Sequence, residues 1–425
     1  MYATLVAALT AILVLSLVAT RIERWQVGLP LLMVVAGVGV GLVDDGSFAA
    51  GLDTVAAQHV AEVILAVLLF VDATELRDGR LFGPEPGAVT RLLLIALPLS
   101  LGAAVGLGAL LVTDFGWAVL LVVACVVVPI DFAPAAGLVR DRTLPRRVRS
   151  ALNVEGGFND GIVSPIFLFA LILASDRTQA RTATEALTAV IPFALTAIVV
   201  GAVLGAVIGW LMERATTAGW TTESTRRVAV LVVPLLAYTV TVATGGSGFV
   251  ASFVCGIAFR AAHRYAHLHR RREAPAPAAV TSLDDDYRFL RDTTAVLTLA
   301  MWFVVGTAAV IAFSDGVPWR VVILCLAALT VVRIVPVLIA MLGTSYLRRE
   351  RVLLGLLGPR GTATIVFGLL AANSLPEQQS DTVLLITVIC VLGSVLLYGP
   401  WTAEMSRKLV GLRSAARRSG AGSSA

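Results

Sequence analysis

Lysine is all but missing from this chain: Lys408 stands alone among 33 basic residues, and the rest are arginine. Charge of either sign is scarce, at 14% of 425 residues, where soluble domains carry about a quarter. Four cysteines are too few and too scattered for a disulfide scaffold or a zinc module. Cys125, Cys255, Cys325 and Cys390 each sit inside an apolar stretch, with no CxxC pair, and read as small core residues. Against these shortages stand 58% apolar residues and a mean hydropathy of +0.88. A soluble enzyme and a disordered chain are both excluded. The composition describes an all-α polytopic membrane protein, partnered by the lipid bilayer and by no soluble cofactor.

A net charge of +5 would suggest nucleic acid in a soluble protein. Here the arginines lie between apolar blocks, where positive charge marks the cytoplasmic side of a membrane, so nucleic acid is not an expected partner. Residues 1–20 are apolar, without a basic leader or a small-residue cleavage site, and read as a retained first helix. Apolar runs long enough to span a bilayer predict about 13 transmembrane helices, centred on 3–20, 27–43, 59–75, 91–112, 117–139, 151–174, 186–212, 228–243, 247–261, 293–313, 319–342, 352–372 and 381–402. The eighth and ninth are short, but the arginine clusters flanking them share one side only if the chain crosses twice. With that count, 28 of the 33 basic residues fall in one set of alternate connections and only Arg177, Arg181 and Arg320 in the other. The asymmetry predicts an external amino terminus and a cytoplasmic carboxyl terminus in the cell membrane. Residues 403–425 read as a short basic tail. The polar stretch 262–290, with His263, His267 and His269, reads as a solvated loop because Pro275 and Pro277 interrupt it.

Two helices carry signs of a mid-membrane break. The fifth contains VVVPIDFAPAAG, with Asp131 between Pro129 and Pro134; the twelfth contains LLGPRGTATIVF, with Arg360 among Gly358, Pro359 and Gly361. If the helix at 186–212 is a linker, these are the fifth helices of two six-helix halves, about 1–174 and 228–402, and the odd linker inverts one relative to the other. Discontinuous helices at matching positions of inverted repeats point to a transport site near the bilayer midplane. Asp131 is placed to offset the positive half-helix ends and Arg360 the negative ones.

The sixth helix brings further charge into the same layer, as ALNVEGGFNDGIVSPIFLF. Glu155 and Asn159 share one face, and Asp160 and Ser164 a neighbouring one. Arg333 and Arg360 are the two basic residues that fall within helices. Each costs at least about 2.5–3.5 kcal/mol to bury, and so needs a partner. Asp131, Glu155 and Asp160 set against the two arginines leave one negative charge, which one proton or one monovalent cation neutralises. Such a site suits competition between H⁺ and Na⁺ or K⁺ at a single carboxylate. Asp72 and Glu75, near the cytoplasmic end of the third helix, are expected to pair with Arg77 or Arg80 at the interface, the alternative being a role in the ion funnel.

EGGFNDG, GGSGFVASFVCGIAFR and LLGPRGTATIVF, with RIERWQVGLPLLMVVAGVGVG ahead of them, resemble motifs of the monovalent cation:proton antiporter-1 family, particularly its bacterial NhaP-type sodium/proton antiporters. The resemblance runs nearly end to end. It implies a secondary transporter, not an enzyme: a homodimer that exchanges Na⁺ (or K⁺) for H⁺, electroneutrally, by alternating access. It further implies a transport core from about 91–174 and 319–402, and a dimerising part from about 1–75 and 228–313, within a membrane domain spanning 1–402. Asp160 would be the shared cation and proton ligand, Asn159 its partner, Asp131 the acid of the unwound fifth helix, and Glu155 a structural acid paired with Arg333 or Arg360. Two departures remove hydroxyl oxygens. Ile130-Asp131-Phe132 replaces the family's Thr-Asp-Pro, leaving the Ile130 carbonyl as a ligand, and Gly156 replaces a serine. A K⁺-selective antiporter is the alternative within this class. An uncoupled channel is the alternative outside it, although no selectivity-filter motif is present.

Overall fold

The computed structural model describes residues 2–24, 28–43, 55–74, 83–132, 144–174, 183–273, 283–314 and 316–398. Among them the chain is helical throughout and contains no strand. The first four helices are α1 (Tyr2–Arg24), α2 (Leu29–Gly41), α3 (Val55–Thr74) and α4 (Pro86–Leu111). Next come α5 (Trp117–Val127), α6 (Arg146–Ala174), α7 (Ala183–Thr217), α8 (Glu223–Ala243), α9 (Gly248–Glu273) and α10 (Leu283–Ala312). The last three positions are α11, split into α11a (Trp319–Leu329) and α11b (Val331–Ala340); α12, split into α12a (Arg348–Leu356) and α12b (Thr362–Ala372); and α13 (Glu377–Tyr398). Seven of the described helices, counting α11 as one, are long and apolar enough to cross a membrane. Their outward faces carry bare apolar side chains such as Leu110, Val203 and Leu236, which lipid covers without cost.

The eighth and ninth predicted spans are separate helices. Between them Gly245 adopts φ +73°, a backbone that reverses the chain where a side chain would be strained. Two expectations need correction. The eleventh helix, expected to be continuous, is interrupted at Thr330 (φ −124°, ψ −88°), one turn and a half before Pro336. The stretch expected as a loop from 262 continues α9 to Glu273, since no helix breaker occurs before Pro275, and α10 begins at Leu283; 274–282 lie outside the described residues. His263 and His267 are therefore helical. Their rings reach Glu213 of α7 at 2.9 and 3.2 Å, and tie the ends of the two helices together.

Irregularities fall at matching places in the two halves. In α4 the ring of Pro98 would press on the carbonyl of Leu94, and the helix widens to a π turn over Leu92–Ala96. Its counterpart α11 breaks at Thr330. Next to them, α5 stops at Val127 and α12 opens between Leu356 and Thr362. The helices α4, α5, α6, α11, α12 and α13 pack mainly on one another, whereas α7 packs chiefly on α9, and α2 on α10. The α7–α9 contact rests on Gly201, Gly205 and Gly209, where a Cβ would collide with the backbone of Ala251, Cys255 or Phe259. Small residues are what allow helix backbones to approach so closely in lipid.

Gly205→Leu is therefore expected to lower the melting temperature of the detergent-solubilised protein, overpacking costing about 1–3 kcal/mol. Gly106→Leu, at a position where a Cβ meets nothing within 4 Å, should leave it unchanged in the same thermal-shift measurement.

Candidate functional site

A broken helix exposes carbonyls at the end of its first piece and N–H groups at the start of its second. Within a membrane, protein groups must satisfy them. Here the two breaks satisfy each other. The backbone N–H of Asp131 donates to the Pro359 carbonyl at 2.9 Å, and the N–H of Thr362, first residue of α12b, donates to Asp131 Oδ2 at 2.7 Å. The guanidinium of Arg360, fully buried, donates to the carbonyls of Val128 (2.7 Å) and Pro129 (3.1 Å) at the end of α5, and to Ala328 (3.1 Å) at the end of α11a. The hydroxyl of Tyr398 donates to the neighbouring Leu329 carbonyl at 3.0 Å. Positive charge thus meets the negative ends of two half-helices, and the Asp131 carboxylate meets the positive end of a third. The second half of the broken fifth helix, from 133 and including Pro134, lies outside the described residues.

The partner of Glu155 is Arg333, not Arg360. Two parallel bonds of 2.9 and 3.1 Å join guanidinium to carboxylate, and the same Nη2 also donates to the Leu354 and Leu357 carbonyls at 3.1 and 3.3 Å. Both side chains are buried. Gly358 is required beside them, since a Cβ there would collide with the Arg333 side chain. One fork-on-fork pair thereby links α6, α11b and the end of α12a.

Between these groups and α3 and α10 lies a cavity of about 440 Å³. Ile130, Asp131, Gly156 and Asp160 all line it, so the structure brings together four positions of the predicted site region. Asp160 is buried at 5% exposure, and its Oδ1 has no hydrogen-bond partner. Asn159 is buried with Oδ1 likewise unpartnered, but is not among the residues that line the cavity. Ser164, one turn beyond, spends its hydroxyl on the Gly161 carbonyl at 3.3 Å and does not reach the cavity either.

Asp72 of α3 also lines the cavity, as does Arg291 of α10, which the sequence did not single out; Glu75 and the expected partners Arg77 and Arg80 lie outside the described residues. These two add one charge of each sign to Asp131, Glu155, Asp160, Arg333 and Arg360, so the formal sum of the seven stays at one negative charge. Thr362 lines it too. Its only signal in the sequence was its place directly after the Gly-Pro-Arg-Gly break.

The family model described as "Sodium/hydrogen exchanger, transmembrane" matches residues 6–408. The chain belongs to that family. It is accordingly a multi-pass membrane transporter of the cation/proton antiport class, and not an enzyme. The fold agrees. A structure of the sodium proton antiporter MjNhaP1 from Methanocaldococcus jannaschii at pH 8 superposes with a TM-score of 0.75 at 18% identity, over 96% of this chain and 99% of that one. A structure from an electron-microscopy map of the same antiporter gives 0.70 at 19% identity, over 97% and 98%.

Removing one member of a buried, bidentate pair strands the other. Glu155→Gln is expected to destabilise the solubilised protein by about 3–5 kcal/mol, with much of the loss recovered when Arg333 is also replaced by methionine. A double-mutant cycle on thermal stability checks this, with Arg360→Met as the control that should show no such coupling to Glu155.

Proposed function

We propose that this antiporter exchanges Na⁺ or K⁺ for H⁺ with both ions competing for Asp160, one for one, so that transport moves no net charge. The observation that carries this reading is the contrast among the embedded acids. Glu155 is consumed by Arg333, and Asp131 holds the start of α12b with one oxygen. Asp160 alone of the three has a buried oxygen without a partner on the cavity wall. Carboxylate and carbonyl oxygens are the hard donors an alkali cation takes, and the carboxylate is equally a proton acceptor. Binding of either cation neutralises the single excess negative charge, and binding of both is disfavoured by like-charge repulsion.

The packing supports a reading by alternating access. We propose that α4–α6 with α11–α13, held by the interlocked breaks, moves as one body against α1–α3 with α8–α10. Two copies would associate through the latter part, as in the two-part arrangement that the motifs suggest. The arginine asymmetry supports an external amino terminus in the cell membrane, with the tail after 402 inside.

In proteoliposomes loaded with a pH dye, a sodium or potassium gradient should move protons in the wild type. Asp160→Asn should abolish the movement while leaving the thermal melt near normal. The rate should be the same with an imposed diffusion potential of either sign. Coupled exchange that persists without the Asp160 carboxylate would place the site elsewhere. A reproducible voltage dependence would mean that a second charge travels.

A further inference from the structure

The family's threonine and serine hydroxyls are absent at positions 130 and 156, and the structure shows why the second cannot simply be restored. The Phe132 ring lies against Gly156, with Cδ2 3.2 Å and Cε2 3.5 Å from where a Cβ would stand; the Ile130 carbonyl is 3.8 Å from the same point. A side chain at 156 needs the ring to give by a few tenths of an ångström. On this wall of the cavity the carbonyl is the nearby oxygen, with an aromatic edge beside it.

A hydroxyl is present on the facing wall. Thr362 is 2% exposed, lines the cavity with Asp131 and Asp160, and its Oγ1 has no hydrogen-bond partner. Thr241 and Thr364 also carry buried hydroxyls without a partner, but neither lines the cavity. Thr74, Thr307 and Thr387 donate to carbonyls one turn back in their own helices, at 2.7, 2.8 and 2.7 Å. Thr362 has no such turn behind it, because it is the first residue of α12b and the chain before it is unwound. Its backbone N–H is already held by Asp131 Oδ2 at 2.7 Å, which fixes the residue beside that carboxylate. A buried hydroxyl left without a partner costs about 1–3 kcal/mol unless something bound supplies one.

We propose that the Thr362 hydroxyl is a ligand of the transported alkali cation, standing in for the oxygens that Ile130 and Gly156 do not provide. The proposal rests on Asp160 as the exchange site. The cation would then lie between Asp160, Asp131, the Ile130 carbonyl and Thr362, displaced from the α6 wall, where Phe132 covers Gly156, towards the start of α12b. The threonine oxygen has two lone pairs and no hydrogen bond to break, so it reaches the cation without loss elsewhere.

The test uses the full chain in proteoliposomes, titrating Na⁺ and, separately, K⁺, with calorimetric NaCl titration of the solubilised protein as a reading independent of transport. Thr362→Val keeps the volume and the backbone bond to Asp131 but removes the hydroxyl. It should raise the KM for the cation about tenfold with kcat little changed, the effect of one lost ligand to a charge. Thr362→Ser should restore the wild-type KM. In the Thr362→Val background, Phe132→Ala with Gly156→Ser should recover part of the lost affinity by returning a hydroxyl to the opposite wall. A KM for Thr362→Val within about twofold of wild type, or a serine variant no better than valine, overturns the proposal. Asp160→Asn, run alongside, separates the two readings. If it is inactive while Thr362→Val is unaffected, only the ligand role falls; if it still exchanges, the Asp160 reading falls first. Should Thr362→Val fail to fold, calorimetric binding by Thr362→Ser against Thr362→Ala decides between the same outcomes.

Discussion

Everything near the cavity depends on one constraint: two unwound segments in the middle of a membrane must find hydrogen-bond partners without water. The solution is reciprocal. The break in the fifth helix supplies Asp131 to the start of α12b, and the break in the twelfth supplies Arg360 to the ends of α5 and α11a. Each charge is stabilised by the helix ends it serves, and each helix end by the charge. Neither break is stable alone, which is why they occur as a pair.

That arrangement also allocates the embedded charges. Arg333 and Glu155 form a closed, bidentate pair, and Arg333 uses its remaining capacity on the carbonyls that end α12a. Arg360 faces carbonyls at three positions. Both arginines are thus engaged by partners that hold the breaks, whereas Asp160, the acid we propose for the exchangeable ion, keeps an oxygen without a partner at the cavity.

Around the core, tight glycine-mediated contacts between α7 and α9, and between α2 and α10 through Gly37 and Gly306, make a rigid frame. Glu213 with His263 and His267 closes the far end of the α7–α9 pair. Side chains in these contacts are small and the backbones nearly touch, so the frame has little freedom to deform.

The sequence by itself determined the class, the number of helices, and the two breaks with their charges. These are properties of local pattern: apolar runs as long as a bilayer is thick, prolines that remove helix hydrogen bonds, and charges too costly to bury without purpose. It did not reveal the break at Thr330, because Pro336 alone does not say whether a helix kinks, widens or parts; α4 and α11 answer the same problem differently. It left open which arginine meets Glu155, since both lie at similar depth. It misplaced the histidines in a loop, and did not single out Arg291 or Thr362. Those matters depend on residues more than a hundred positions apart meeting across helices, as Arg333 meets Glu155 and Arg360 meets Val128. Depth in the membrane is written along the chain, but the direction each side chain faces is settled only when the helices pack.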